Sequence, residues 1–191
     1  MKHAKSYRPN YPRVMFSRNN FFLLNGAWDF KSLEKEEDIA FPREKAFDFS
    51  DSRKIQVPYA PQCEDSEINE EIAHAPMAYQ RKFTLPAVED QDYLLHFEAV
   101  DYECYVFVNR RFAGHHVGGY TRFSMNIRPL IAAGENTIAV FVKDGSEADK
   151  PRGKQTWMKE PFGCWYKSTG GIWKTVWLEQ VSPVRLNSVQ T

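Results

Sequence analysis

Residues 101–143 constrain the fold more than any other part of the chain, because they alternate short runs of β-forming residues with turn signals and show almost no helical periodicity. Residues 104–108 are apolar on both faces, which predicts a strand that is covered on both sides. Asn109 and Arg110 follow, and an Asn in a two-residue link is typical of a turn with positive φ. We therefore predict a hairpin here, with local backbone strain at Arg110.

Further β segments follow this hairpin. Residues 112–117 return, Gly118 and Gly119 interrupt the strand, and residues 123–127 alternate apolar and polar side chains like a half-buried strand. A turn at residues 134–136 leads into residues 137–143, which are again apolar on both faces. These segments together predict a meander of consecutive, neighbouring strands.

Shorter β patterns flank this stretch on both sides. Leu95, Phe97 and Ala99 are expected to face the core, and Trp28 and Phe30 to share one strand face. Eight or so short strands with polar turns and no long helix predict an all-β fold, a jelly-roll β-sandwich. The flanking strands are predicted at residues 27–31, 54–58, 79–85, 93–100 and 173–179.

The chain divides into three predicted parts. Residues 1–20 are basic and irregular and form an arm across the domain surface, residues 21–184 form the sandwich, and residues 185–191 lead out as a linker. Within the sandwich, residues 34–51 are expected to form a loop that tucks aromatic side chains beneath it, with the charge run 34–38 in solvent.

Charge and cysteine content exclude several classes of protein. Lys plus Arg and Asp plus Glu number 25 each, so no net field attracts nucleic acid or an anionic membrane, and no run of 18 apolar residues occurs. Cys63, Cys104 and Cys164 are too few and too scattered for a disulfide framework. We expect a reducing, cytoplasmic location; a removed export signal would leave the periplasm or secretion open.

Several motifs occur in an order that resembles a known family, the family-2 glycoside hydrolases, which include β-galactosidases and β-glucuronidases. The opening L-N-G-x-W-x-F occurs at residues 24–30, P-R-G-K-Q at 151–155, and the closing G-I-W-x-T-V-W-L-E at 171–179. Between them, the central stretch matches the family at Val106, Val108, Asn109, Gly114, His116, Gly118, Gly119, Tyr120, Phe123, Gly134, Glu135, Asn136, Ile138 and Val140.

The resemblance implies an N-terminal sugar-binding domain with a jelly-roll fold, from a hydrolase that cleaves β-linked sugars and is β-galactosidase-like. In that family both catalytic glutamates come from a C-terminal barrel of about 250 residues. Carbohydrate and the C-terminal domains of the same parent chain are therefore the expected partners. No cofactor is expected, and self-association is left open. The alternatives are a free-standing carbohydrate-binding module and a purely structural domain.

No catalytic or metal site is expected within these residues. The acidic pairs Glu70–Glu71 and Asp48–Asp51 lie in loops that read as solvated. His115 and His116 are neighbours on a predicted strand and so point to opposite faces, which does not suit chelation.

The predicted functional segment is the long loop at residues 144–162, which exceeds the usual length of a structureless loop. Trp165 and Tyr166 are assigned either to a glycan site or to the barrel interface, and Asp101 either to capping a turn or to binding hydroxyls. Trp173 and Trp177 are expected to be core residues on one strand face. The substrate-binding or barrel-interface candidates are Asp101, Arg152, Lys154, Gln155, Trp157, Trp165 and Tyr166.

The sequence departs from the family in one way that affects the substrate. In β-galactosidases of the family an aspartate shortly before the S-G-I-F block holds the sugar, whereas no carboxylate lies between Phe162 and Trp173 here. That role cannot be transferred, so the sugar stays open. Lesser departures are Gly170 for Ser, Arg110 for Gly and Arg122 for Pro.

Overall fold

The computed structural model describes residues 12–13, 17–33, 39–70, 75–145, 149–158 and 160–187. Short 3-10 turns occur at Glu44–Phe47, Glu64–Ser66 and Arg128–Leu130. The strands are β1 (Phe21–Leu23), β2 (Gly26–Ser32), β3 (Arg53–Val57), β4 (Met77–Leu85), β5 (Asp92–Phe97), β6 (Val100–Asp101), β7 (Glu103–Val108), β8 (Arg111–Val117), β9 (Phe123–Asn126), β10 (Gly134–Lys143), β11 (Gly171–Ile172) and β12 (Val176–Val181).

Two antiparallel sheets form the sandwich. The larger has the order β3-β2-β4-β10-β7-β8, the smaller has the order β1-β12-β5-β9, and β11 pairs with β6 in a separate two-stranded sheet. The prediction of an all-β sandwich is confirmed. No helix in the described residues is long and apolar enough to cross a membrane.

The core between the sheets follows the alternation of the strands. Trp28 and Phe30 of β2 are fully buried, as are Leu95 and Phe97 of β5, and Ala99 lies buried after that strand. Burial of large apolar side chains is the main stabilising term of such a fold. The predicted core positions on these strands are confirmed.

A second layer covers the outer face of the larger sheet. Phe107 of β7 and Phe141 of β10 point away from the main core and contact the ring of Phe47 at centroid distances of 5.5 and 5.3 Å. This layer explains why β7 and β10 are apolar on both faces. Loop 34–51 does bury Phe47, whereas Phe41 is 89% exposed; the charge run 34–38 lies outside the described residues.

The predicted meander is wrong beyond the first hairpin. β7 and β8 pair as expected, but β9 pairs with β5 in the smaller sheet, and β10 returns between β4 and β7. Residues 118–122 carry the chain from one sheet to the other. A strand that is apolar on both faces is best satisfied in the interior of a covered sheet, and the place between β4 and β7 provides this for β10.

The two ends of the domain also differ from expectation. β1 was not predicted, and it pairs with β12, so Asn25 and Gly26 connect strands of different sheets and do not close a hairpin. The closing strand begins at Val176 and not at Trp173. Asn25 stabilises this junction, since its Oδ1 accepts a hydrogen bond from the backbone N–H of Val176 at 3.1 Å.

The outer face of the smaller sheet carries a buried polar layer. Trp177 is fully buried, but it stacks on His96 at a centroid distance of 3.9 Å, on the face opposite the main core. Glu179, fully buried, binds His96 at 3.2 Å and Arg18 at 3.0 Å. The expectation that Trp173 and Trp177 share one core face is therefore wrong, because Trp173 precedes the strand and is only partly buried.

Candidate functional site

Three segments meet at one end of the sandwich. They are the corner at Asp101, the link after β8 that contains Gly119 and Tyr120, and residues 149–170, which lead into β11. Gln155 lies between them and contacts all three. This junction contains most of the candidates predicted from the sequence.

Gln155 is the central hydrogen-bonding residue of the junction. Its Nε2 donates to Oδ2 of Asp101 at 3.0 Å and to the hydroxyl of Tyr120 at 3.2 Å. Its Oε1 accepts from the backbone N–H of Thr169 at 2.6 Å. One side chain thus fixes the strand corner, the β8–β9 link and the segment before β11 relative to one another.

Asp101 is 6% exposed and lies against the backbone of Gly119. A Cβ placed on Gly119 would lie 2.1 Å from Oδ1 of Asp101, so only glycine leaves room for this carboxylate. Burial raises the pKa of Asp101, while the hydrogen bond from Gln155 and the nearby charges of Arg152 and Lys150 act in the opposite direction.

Tyr120 and Trp173 form an aromatic pair beside this network. Trp173 donates from Nε1 to the carbonyl of Gly119 at 2.8 Å, and the two rings meet edge to face at 5.9 Å. The Tyr120 hydroxyl donates to the carbonyl of Arg152 at 2.9 Å. Neither residue was among the sequence candidates; the G-G-Y of the matched motif was the available signal for Tyr120.

A group of exposed rings lies next to the junction, and we call it the aromatic edge: Trp157, Phe162, Trp165 and Tyr166. Trp157 contacts Phe162 at 5.6 Å and Trp165 at 4.9 Å, both edge to face. Trp157 is 51% and Tyr166 is 66% exposed, and Trp165 is partly buried. Neither Trp165 nor Tyr166 is enclosed in the sandwich, as the interface hypothesis requires. Exposed aromatic patches of this kind are typical of binding surfaces.

Backbone hydrogen bonds attach the aromatic edge to the junction. The N–H of Thr156 donates to the carbonyl of Tyr166, and the N–H of Tyr166 donates to the carbonyl of Lys154, each at 2.7 Å. The Lys154 side chain is exposed, and Arg152 donates a hydrogen bond to the carbonyl of Gly145. The structure therefore brings the seven candidate residues into one continuous region.

Other side chains considered from the sequence have structural partners. His115 contacts Glu103 at 3.0 Å, whereas His116 stacks on Phe123, so the two histidines face opposite sides of β8. Glu70 pairs with Arg53, and Glu71 lies outside the described residues. Two clefts, of about 320 and 370 Å³, are lined by residues that are not part of the junction.

Comparison with known proteins identifies what this arrangement is similar to. The family model described as "Glycosyl hydrolases family 2, sugar binding domain" matches residues 21–180. The chain is 36% identical over 97 residues to a β-galactosidase of Thermoanaerobacter pseudethanolicus, which covers 50% of this chain and 12% of that protein. It is 27% identical over 189 residues to a β-galactosidase of Priestia megaterium, with coverages of 85% and 17%.

Solved structures give the same picture. A β-glucuronidase of Bacteroides uniformis superposes with a TM-score of 0.63 at 27% identity, over 85% of this chain and 18% of that one. The chain spans a fifth or less of the length of the curated relatives that it matches.

Proposed function

The chain belongs to the sugar-binding domain family of the family-2 glycosyl hydrolases, and from that premise we propose that it serves within an enzyme that cleaves β-linked sugars in the manner of a β-galactosidase. The relatives named β-galactosidase and β-glucuronidase support this assignment. In this proposal the sandwich contributes binding surface, and catalysis comes from other domains of the same parent protein.

The observation that carries the proposal is the placement of the aromatic edge. Trp157 and Tyr166 expose half or more of their surface next to the hydrogen-bonded network of Gln155. Aromatic faces pack against the C–H faces of sugar rings, and nearby polar groups can bind hydroxyls. We assign the aromatic edge to glycan contact or to the contact with the neighbouring catalytic domain.

The decisive experiment uses the complete reading frame that encodes this chain. The purified product is assayed on 4-nitrophenyl β-D-galactopyranoside and on 4-nitrophenyl β-D-glucuronide, together with a Trp165→Ala variant. We expect hydrolysis of at least one substrate and a reduced kcat/KM in the variant. Phe112→Ala is the matched control, since Phe112 is also exposed, at 56%, but lies on β8 in the larger sheet. Absence of hydrolysis of either substrate would refute the proposal.

A stand-alone carbohydrate-binding module is the second candidate, favoured by the exposure of the same rings. Half a pocket buries little of a ligand, so a domain that needs a neighbour to complete its site should bind monosaccharides at about millimolar or weaker. Calorimetry of the 191-residue protein with galactose separates the two cases. Micromolar affinity would favour the module.

A further inference from the structure

Charge is distributed unevenly along this neutral chain. Residues 149–174 contain six Lys or Arg and only two Asp or Glu, and no carboxylate occurs between Glu160 and Glu179. The chain as a whole has 25 of each sign. The segment that forms the aromatic edge is therefore cationic, and the opposite charge is spread over the rest of the domain.

Two of these cations have no carboxylate partner within the described part of the chain. The Lys154 side chain is exposed to solvent next to the backbone of Tyr166. The ammonium of Lys174 lies 4.6 Å from the centroid of the Trp173 ring, in a cation–π contact. Both charges are thus held beside aromatic rings and are available to an incoming anion.

The carboxylates nearest to the junction are withdrawn from its surface. Asp101 and Asp144 are 6% and 7% exposed. Asp101 is hydrogen-bonded to Gln155, and the charges of Arg152 and Lys150 act on it. These buried groups account for two of the cations but do not face a ligand on the aromatic edge.

Lys154 and Lys174 flank one continuous surface. From Lys174 the path runs over Trp173 to Tyr120, whose hydroxyl binds the carbonyl of Arg152 and the side chain of Gln155. Lys154 lies between those two residues in the sequence. A neutral sugar on these rings would leave both ammonium groups without a counter-charge, whereas an acidic sugar would supply one.

We propose that the ligand of the aromatic edge is an acidic saccharide, whose carboxylate or sulfate group is bound by Lys154 and Lys174 while its ring stacks on the exposed aromatics. The inference rests on the proposed function and adds the substrate class to it. Lysine is a flexible point charge that accepts either anionic group, so the two chemistries are separated by experiment.

The test is an NMR titration of the ¹⁵N-labelled 191-residue protein. The probes are methyl β-D-galactopyranoside, its uronic acid analogue and its 6-sulfate, with sodium acetate and sodium sulfate as anions without a sugar. We expect at least one acidic sugar to bind roughly fivefold or more tightly than the neutral one. Raising the salt to about 1 M should abolish that preference, because exposed charges are then screened.

Variants connect the preference to the two lysines. Lys154→Gln and Lys174→Gln should each reduce the preference for the acidic sugar and leave binding of the neutral sugar unchanged, and Lys154→Arg should retain it. Lys82→Gln is the matched control, since Lys82 is exposed and pairs with Glu135 on the larger sheet. A circular dichroism melt shows that each variant is folded.

Each remaining outcome has one meaning. Equal or tighter binding of the neutral sugar would overturn the acidic-ligand inference and leave the proposed function intact. Identical shifts with acetate or sulfate alone would show an anion site without sugar specificity, and would overturn it as well. The proposed function fails separately, through the hydrolysis assay on the complete enzyme.

Discussion

Asp101 and Gly119 show how one close approach determines the geometry of the junction. The Asp101 carboxylate occupies the space where any other residue at position 119 would place its Cβ. Gly119 does not have a positive φ, so the requirement is for space and not for backbone conformation. The carboxylate can then accept its hydrogen bond from Gln155 while almost fully buried.

Replacing Gly119 with alanine should therefore destabilise the protein by about 1–3 kcal/mol, because the Asp101 side chain must move and loses its hydrogen bond. Urea denaturation measures the free energy of unfolding. Gly114→Ala is the matched control, since its Cβ would lie 3.0 Å from the Cε of Met125, the end of a flexible side chain. Equal losses in the two variants would contradict the explanation.

At the scale of elements, the β7–β8 turn is more than a connection. Asn109 and Arg110 have φ values of +50° and +62°, as the sequence predicted for this hairpin. The Asn109 side chain donates to the carbonyl of Leu130 and to Oδ1 of Asn136, and accepts from the N–H of Thr137, each at 2.9 Å. The turn thus connects β7 to the beginning of β10.

Asn109→Ala should cost about 2–4 kcal/mol, because it removes three partly buried hydrogen bonds and places alanine at positive φ. Thermal and urea unfolding give the change. Arg110→Gly tests the same turn without these bonds: it relieves backbone strain and removes an exposed ion pair with Glu44, so it should change stability by less than about 1 kcal/mol. A cost below that limit for Asn109→Ala would count against this role.

The polar layer on the smaller sheet predicts a pH dependence of stability. His96 is 4% exposed, and burial is the main cause that lowers its pKa below the ordinary 6.5; the hydrogen bond to Glu179 acts in the opposite direction. Arg13, Arg18 and Glu98 are the other charged groups at this layer. The unfolded chain therefore takes up a proton on this histidine at a higher pH than the folded chain does.

The contribution of neutral His96 is complete above about pH 6.5 and decreases as the pH falls toward the lower pKa of the folded state. Urea denaturation between pH 5 and 8 should show a steeper loss of stability at low pH for the wild type than for His96→Gln. His115→Gln controls for the removal of a histidine and should keep the wild-type slope. Parallel curves for wild type and His96→Gln would refute the assignment.

Local patterns predicted more of this fold than long-range pairing did. The hairpin turn and the buried positions of β2 and β5 follow from turn chemistry and from alternation within a few residues. The position of β10 between β4 and β7 depends on contacts across the chain, and residues 118–122 carry no signal that they change sheets. Trp177 was predicted as buried, but burial alone does not distinguish the main core from the polar layer on the other face.

The candidate site was predicted in part for the same reason. A long loop rich in aromatic and basic residues identified Trp157, Trp165 and Gln155 from the sequence. Tyr120 and Trp173 join the site only because the β8–β9 link and the segment before β12 meet in three dimensions. No pattern within either segment predicts this contact.

At the scale of the whole molecule, the described residues form a binding domain and not a catalytic one. Retaining glycosidases need two carboxyl groups about 5–5.5 Å apart. The carboxylates examined from the sequence have structural partners: Glu70 pairs with Arg53, and Asp48 accepts a hydrogen bond from the N–H of Ser50. The buried Glu179 is held by Arg18 and His96. None of these arrangements pairs a general acid with a nucleophile.

We therefore expect the purified 191-residue protein to release no 4-nitrophenol from 4-nitrophenyl β-D-galactopyranoside above the rate in buffer. The product of the complete reading frame, assayed at the same molar concentration, is the positive control. Turnover that co-elutes with the 191-residue protein in gel filtration and is unchanged after a second, orthogonal purification would contradict the expectation. Because a contaminating hydrolase would separate in one of the two steps, such activity would have to come from carboxylates within this chain, and catalysis could no longer be assigned to a neighbouring domain.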